Sequence, residues 1–197
     1  MKILIAVPTF ETITPETFKS IYGLIKPDGV YTQFDFVKGY DCARARNLIA
    51  KEAIEHGFDY VLMVDSDIVL PSDTLVSFLT DPKDICLGLY PKKNTSSELV
   101  EITKLGERDF TTFFTFGEVD LMSGKFEVHG GGFGCAFIKV SVFERMVYPF
   151  FKYVEYPDGN VLSEDNYFCN EAAKVGFNIW ADPKVHCSHL KRQFQWR

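Results

Sequence analysis

YVLMVDSDIVLPSD, Tyr60 to Asp73, starts with five apolar residues in a row, breaks at Asp65-Ser66-Asp67, and turns apolar again before Pro71. A short apolar run ending in turn-forming residues reads as a strand buried inside a sheet. Its carboxyl end is where open α/β sheets bind ligands, in the crevice outside the strand ends. Residues i and i+2 of an extended segment project to the same side, so Asp65 and Asp67 are expected to reach one hard cation, Mg2+ or Mn2+, which could neutralise a diphosphate. Taken alone, the tripeptide is better explained by a turn cap at Asp65 and a solvated Asp67, because such tripeptides are common.

Working outward, the flanking sequence alternates strand and helix. KILIAVP (Lys2 to Pro8) is a short aliphatic run, and Thr14-Pro15-Glu16 supplies an N-cap and a first-turn proline for a helix to about Ile25. VYTQFDFV (Val30 to Val37) alternates as a strand does. YDCARARNLIAKEAIEHG then places Ala45, Leu48, Ile49 and Ala53 at helical spacing, with Gly57 as the stop. After Asp67, Pro71 opens a helix to about Leu79, and DICLGLY (Asp84 to Tyr90) is another strand. This order predicts an α/β fold, a mostly parallel central sheet flanked by helices.

The second half is less regular. Lys92 to Glu98 reads as a polar loop and Val100 to Phe126 as short strands or a mobile flap. HGGGFGCAFIKVSVFERM (His129 to Met146) is a glycine-rich turn, a strand and a short helix. Ser163 caps a helix from Glu164 to Gly176, and Phe177 to Leu190 returns as two short strands. The basic, aromatic tail KRQFQWR reads as a docked terminus.

Composition sets bounds. At 197 residues and 46% hydrophobic the chain is expected to form a single domain, residues 1–197. A formal net charge of -6 gives no electrostatic footprint for nucleic acid or an anionic membrane. The five cysteines show no C-x-x-C pair, so buried reduced thiols are expected. No run approaches the length of a membrane span or a leader, which predicts a cytoplasmic protein.

Other residues suit chemistry near the strand exits. Glu164 and Asp165 lie in the first turn of a helix, where the macrodipole favours the ionised form suited to a general base. His186 and His189 are alternative metal ligands. Arg44 and Arg46 stand about 200° apart on their helix, so at most one is expected to face the site. Gly130, Gly131, Gly132 and Gly134 permit close backbone approach to a ligand or a tight turn into the next strand.

In this order, ARARNLIAKEAIEHGFDYVLMVDSD, GGGFGCAFIKVSVFERM with PFF, and SEDNYFCNEAAKVGFNIWADPKVHCSH resemble the small, inverting nucleotide-sugar glycosyltransferases of the GT-A type, over roughly three quarters of the chain. The resemblance implies a Rossmann-like sandwich, with a nucleotide-binding half to about residue 90 and an acceptor and catalytic half from about 91 to 197. It implies Mn2+ or Mg2+ on Asp67, with Asp65 near the ion or the ribose, and His189 rather than His186 as a further ligand. Glu164 and Asp165 become the acidic dyad, with Asp165 favoured as the base. Thr9, Phe10, Glu11, Arg44, Arg46, Asp65, Ser66 and Gly132 become donor contacts. The partners implied are a nucleoside-diphosphate sugar, with a UDP-sugar favoured, and a glycan or glycoprotein acceptor. QFDFVKGY departs from the family's acidic pair and glycine at the second strand, leaving Asp35 as a substitute. The end just after His189 suggests a minimal form, as in viruses or phages, or one domain of a longer protein. Two other readings stand beside it: a non-catalytic nucleotide-sugar or glycan-binding module of the same fold, and a D-x-D phosphohydrolase.

Overall fold

The computed structural model describes residues 1–93, 98–105 and 111–190, so part of the polar loop after Lys92 and the whole tail from Lys191 lie outside the described residues. The chain runs β1 (Lys2–Thr9), α1 (Pro15–Tyr22), β2 (Tyr31–Lys38), α2 (Cys42–Glu55), β3 (Tyr60–Val64), β4 (Ile68–Val69), α3 (Thr74–Thr80) and β5 (Ile85–Leu89). It continues through β6 (Leu99–Leu105), β7 (Thr111–Thr115), α4 (Phe116–Val119), β8 (Phe126–Val128), β9 (Gly130–Gly131), β10 (Cys135–Lys139) and α5 (Val140–Arg145). It closes with β11 (Val154–Glu155), β12 (Val161–Leu162), α6 (Glu164–Lys174), β13 (Ile179–His186) and β14 (Ser188–His189).

Seven strands form the central sheet in the order β2-β1-β3-β10-β5-β13-β8. β1 is parallel to β2 and β3, and β5 to β13, whereas β10 runs antiparallel between β3 and β5 and β8 antiparallel at one edge. The mostly parallel sheet is therefore interrupted by one strand from the second half. β1 shows why the sheet is covered on both sides: Leu4 and Ala6 enter one core with Ala45, Ile49 and Phe168, while Ile3, Ile5 and Val7 enter the other with Ile21, Leu75 and Phe78. That alternation is the period of two that a strand imposes. Stacked rings fasten each layer, Tyr60, Phe137 and Phe78 on one side and Phe151 with Phe168 on the other.

Local chemistry sets the element ends. The Thr14 hydroxyl accepts from the Thr17 N–H and Pro15 opens α1, but Gly23 ends the helix before Ile25. Pro71 lies in a turn, not a helix: its carbonyl accepts from the Thr74 N–H (3.2 Å) and hydroxyl (2.7 Å), and α3 starts there. The stretch considered as a flap contains the hairpin of β6 and β7, which with β9 makes a three-stranded sheet. β14 folds back antiparallel on β4, placing His189 opposite Ile68.

Candidate active site

β1 and β3 are neighbouring parallel strands, so their carboxyl ends lie side by side at one end of the sheet. At the end of β1 Thr9 is buried and its hydroxyl donates to the Thr12 carbonyl at 2.6 Å, while Phe10 and Glu11 are exposed. The Gly39 N–H donates to the Thr9 carbonyl at 3.1 Å, which ties the two strand exits together.

After β3 the backbone does not stay extended. The Asp65 N–H donates to the Gly134 carbonyl (3.0 Å) and the Asp65 carbonyl accepts from the Ile68 N–H (3.1 Å), closing a turn over residues 65–68. Ser66 contributes its carbonyl to the Thr14 N–H at the start of α1 (3.0 Å). The expectation that spacing alone aims Asp65 and Asp67 at one cation fails here, since period-two geometry requires an extended chain. Asp65 accepts from Arg46 Nη2 at 2.9 Å, and Asp67 turns into the protein towards Lys93 and His189.

Arg46 is the deepest charge in the site, 2% exposed. Its Nη1 donates to Glu164 Oε1, its Nη2 to Asp65, and its guanidinium lies over the Phe133 ring at 5.7 Å. Burial works against this charge, but the two carboxylates outweigh it and hold the guanidinium firmly protonated. Burial raises the Glu164 carboxyl above its usual range, with Arg46 opposing and Asp165 adding to the rise. Arg44 is exposed against the Tyr40 ring, 4.5 Å from its centroid, so only one of the two arginines faces inward. Arg46 and Glu164, both expected at a ligand, are each engaged by protein.

The next residue, Asn47, gave no chemical signal in the sequence. Its amide nitrogen donates to the carbonyls of Ala43 (2.9 Å) and Phe151 (2.7 Å), and its oxygen accepts from the N–H groups of Phe150 (2.9 Å) and Phe151 (3.2 Å). This buried amide joins α2 to the segment after α5, while Arg46 joins α2 to Glu164 at the start of α6.

At the start of α6 the Ser163 hydroxyl makes no cap bond to the helix backbone; it donates to Asp165 Oδ1 and accepts from the Asn166 amide at 2.9 Å. Oδ1 of Asp165 also takes the Asn166 N–H at 2.8 Å, and among the described residues no hydrogen bond reaches Oδ2.

Asp67 and His189 make the second half of the site. Asp67 is 6% exposed; its Oδ2 lies 2.7 Å from Lys93 Nζ and its Oδ1 3.7 Å from His189 Nε2. Burial pushes the Asp67 carboxyl up, but His189 and Lys93 outweigh it and hold it at about 2. The carbonyl of Pro91 lies 3.0 Å from His189 Nδ1 and can only accept, so Nδ1 carries a proton and Nε2 is turned to Asp67. Burial disfavours protonating this ring, yet Asp67 and the Pro91 carbonyl raise its pKa above the usual value. His186 is exposed on β13 and is not brought to Asp67. No group of three or more His, Cys, Asp and Glu side chains able to hold a metal forms among the described residues. The pair present, one carboxylate oxygen and one imidazole nitrogen, fits a Mn2+ or Mg2+ ion that takes its remaining oxygens from a diphosphate and water.

Two further groups were not read from the sequence. Tyr90 is buried, sets the edge of its ring against His189 with 5.3 Å between centroids, and accepts from the Gly134 N–H at 3.0 Å. Glu101 of β6 reaches the same wall; burial raises its carboxyl, Lys92 opposes this, and the Asp165 charge adds to the rise. The alternation of β6 predicts that Glu101 leaves the face of Val100 and Ile102, but nothing local says that it feels the charge of Asp165. Gly132 is explained by these groups: a Cβ there would collide with the Tyr90 hydroxyl and lie 2.8 Å from Glu101 Cγ. Its close approach is to protein.

A separate cleft of about 320 Å³ between α3 and β13 contains none of these residues. Its Lys125 is occupied by Asp182 at 3.7 Å and by the carbonyls of Ser77, Phe78 and Asp81 at 2.6–3.0 Å. No helix among the described residues is long and apolar enough to cross a membrane.

No protein-family model matches the chain, and no curated protein matches it in sequence. Solved structures do. A197 from STIV matches with a TM-score of 0.66 at 19% identity, over 98% of this chain and 87% of that one. GalNAc-T7, solved with UDP, GalNAc and Mn2+, matches with 0.60 at 11% identity, over 98% of this chain and 45% of that one. S. aureus TarS matches with 0.53 at 14% identity, over 94% and 60%. This chain thus spans about half the length of the last two. At such identities the likeness concerns the fold, an α/β sandwich of the GT-A type with a large central sheet flanked by helices.

Proposed function

We propose that the chain is a metal-dependent glycosyltransferase that moves a sugar from a nucleoside-diphosphate sugar, a UDP-sugar, to a hydroxyl of a glycan or glycoprotein with inversion. The observation that carries this reading is the meeting of Asp67 and His189 beside the β3 exit of a GT-A type sheet. The Mn2+ and UDP bound by GalNAc-T7 support these as the first ligands to try.

Asp67 and His189 would hold the ion, whose positive charge stabilises a departing diphosphate when it is bound. Lys93, already 2.7 Å from Asp67, brings a second positive charge to the same place. Arg46 fixes Asp65 and Glu164 by one buried guanidinium, so the β3 exit and the start of α6 keep a constant separation. Asp165, with Oδ1 held by Ser163 and Asn166, offers Oδ2 to the acceptor hydroxyl and takes its proton as the oxygen attacks. The bond from the anomeric carbon to the diphosphate breaks as the new one forms on the opposite face, and no sugar is attached to the protein.

Calorimetry with UDP, with and without Mn2+, followed by UDP release from a panel of UDP-sugars, tests this reading. Mn2+-dependent UDP binding and release from at least one donor are expected; absence of any Mn2+-linked UDP binding would sink it. The two bonds that hold Asp165 within its own helix start favour a second reading, a binding module of the same fold. That module would bind UDP and Mn2+ yet release nothing from any donor, even with acceptors present.

A further inference from the structure

Asp67 and Lys93 are held in unlike ways. Asp67 is pinned: its carbonyl accepts from the Leu190 N–H at 2.9 Å, the next residue pairs with His189, and its side chain is only 9% exposed. The backbone leading to Lys93 is pinned as well, since Pro91 bridges to Val100, the Pro91 carbonyl meets His189, and the Lys92 N–H donates to the Leu99 carbonyl at 2.9 Å. The Lys93 side chain is the freer member, 56% exposed, and it reaches inward to set Nζ 2.7 Å from Asp67 Oδ2. Its ammonium therefore covers one oxygen of the carboxylate that the transferase reading gives to a cation.

A buried carboxylate needs a counter-charge, and Lys93 supplies it from the solvent side at little desolvation cost of its own. Asp67 brings a single negative charge. A divalent ion and an ammonium on that one carboxylate, with His189 beside them, would leave the place strongly positive, so the two exclude each other until further anions arrive. A diphosphate brings those anions, and a point charge on a long flexible stem can follow them. We propose that Lys93 and the cation are alternatives at Asp67, and that Lys93 passes to the diphosphate as the cation takes its place, so that ion and nucleotide are admitted together. This rests on the transferase reading and adds to it a control on loading: the ion alone is resisted.

The test uses the whole chain with Lys93→Met, which keeps most of the stem and removes the charge, and Lys93→Arg, which keeps the charge. Affinity for Mn2+ alone is read from the loss of the free-ion paramagnetic resonance signal, and affinity for UDP in saturating Mn2+ by calorimetry. Lys93→Met is expected to bind Mn2+ alone about 10-fold more tightly and UDP in Mn2+ about 10- to 100-fold more weakly, the size of one charge-assisted hydrogen bond. Lys93→Arg should stay near the parent in both. Opposite shifts from one substitution separate an exchange from structural damage, which weakens both. Adding Asp67→Ala to Lys93→Met should abolish the gain in Mn2+ affinity. Unchanged or weaker Mn2+ binding in Lys93→Met, unchanged UDP binding, or a gain that survives the loss of Asp67 would each overturn the proposal. A parent chain with no Mn2+-linked UDP binding would instead refute the transferase reading. Intact Mn2+-linked UDP binding in the parent with an indifferent Lys93→Met would refute only this inference.

Discussion

At the scale of single residues, three side chains carry the sharpest consequences. Asp67 is one of few charged groups at the proposed cation site, so Asp67→Ala should remove Mn2+-dependent UDP binding altogether, as calorimetry would show. Asp165→Asn keeps shape and the bond from Asn166, so UDP and Mn2+ binding should stay while transfer falls by about 10²- to 10⁴-fold. A helix-start charge is worth only about 0.3–1 kcal/mol, so near-normal transfer would leave Asp165 a capping residue. Arg46→Met would leave Glu164 buried without its counter-charge, and removal of one partner of a buried pair costs about 3–5 kcal/mol. Urea unfolding should register that loss; a change under 1 kcal/mol would show that Glu164 finds water or a proton at little cost. The chemical types of these residues were legible in the sequence, as was the inward turn of one arginine. Their pairing was not. Arg46 bridges Asp65 and Glu164 across a long stretch of chain, and Asn47 clasps Phe150 and Phe151, contacts that no local pattern encodes.

At the scale of elements, alternation and caps placed most strands and helices within a few residues, because β1, β3 and β5 are short aliphatic runs and α1, α2 and α6 have clear starts. Direction was harder. A short apolar run such as Cys135 to Lys139 announces a strand without saying which way it runs or between which neighbours, so the antiparallel place of β10 could not be foreseen. The glycine run was read as room for a ligand or a tight turn into a strand, and the structure gives much of that room to β6 and Tyr90. A Cβ on Gly131 would lie 2.7 Å from the Glu101 carbonyl and 2.9 Å from both Ile102 and Leu87, whereas one on Gly117 in α4 meets nothing within 4 Å. Gly131→Ala should therefore destabilise the fold by about 1–3 kcal/mol. Gly117→Ala should be neutral or stabilise by up to about 1 kcal/mol, as an exchange in a helix often does. Paired denaturation curves check the contrast, and equal effects would mean that the β6 to β9 contact yields easily.

At the scale of the whole molecule, a ligand that binds only the folded chain raises its stability by mass action, about 2.7 kcal/mol at 100 times its Kd. For a chain of this length that corresponds to a rise of roughly 5–10 °C in Tm. UDP with Mn2+ should produce such a shift and UDP with chelator a much smaller one, whatever the acceptor proves to be. The place of β10 matters for how the protein is made. β3 and β5 are complete by residue 89, yet they are not neighbours; the strand that joins them ends at residue 139. A ribosome adding about 5–20 residues per second needs roughly 3–10 s to make the missing piece. Throughout that interval the nascent chain carries two hydrophobic strands with open backbone edges and nothing yet made to close them. Slowing translation between these two points should increase aggregation in the cell, and a chaperone that shields strand edges should be needed for that interval alone.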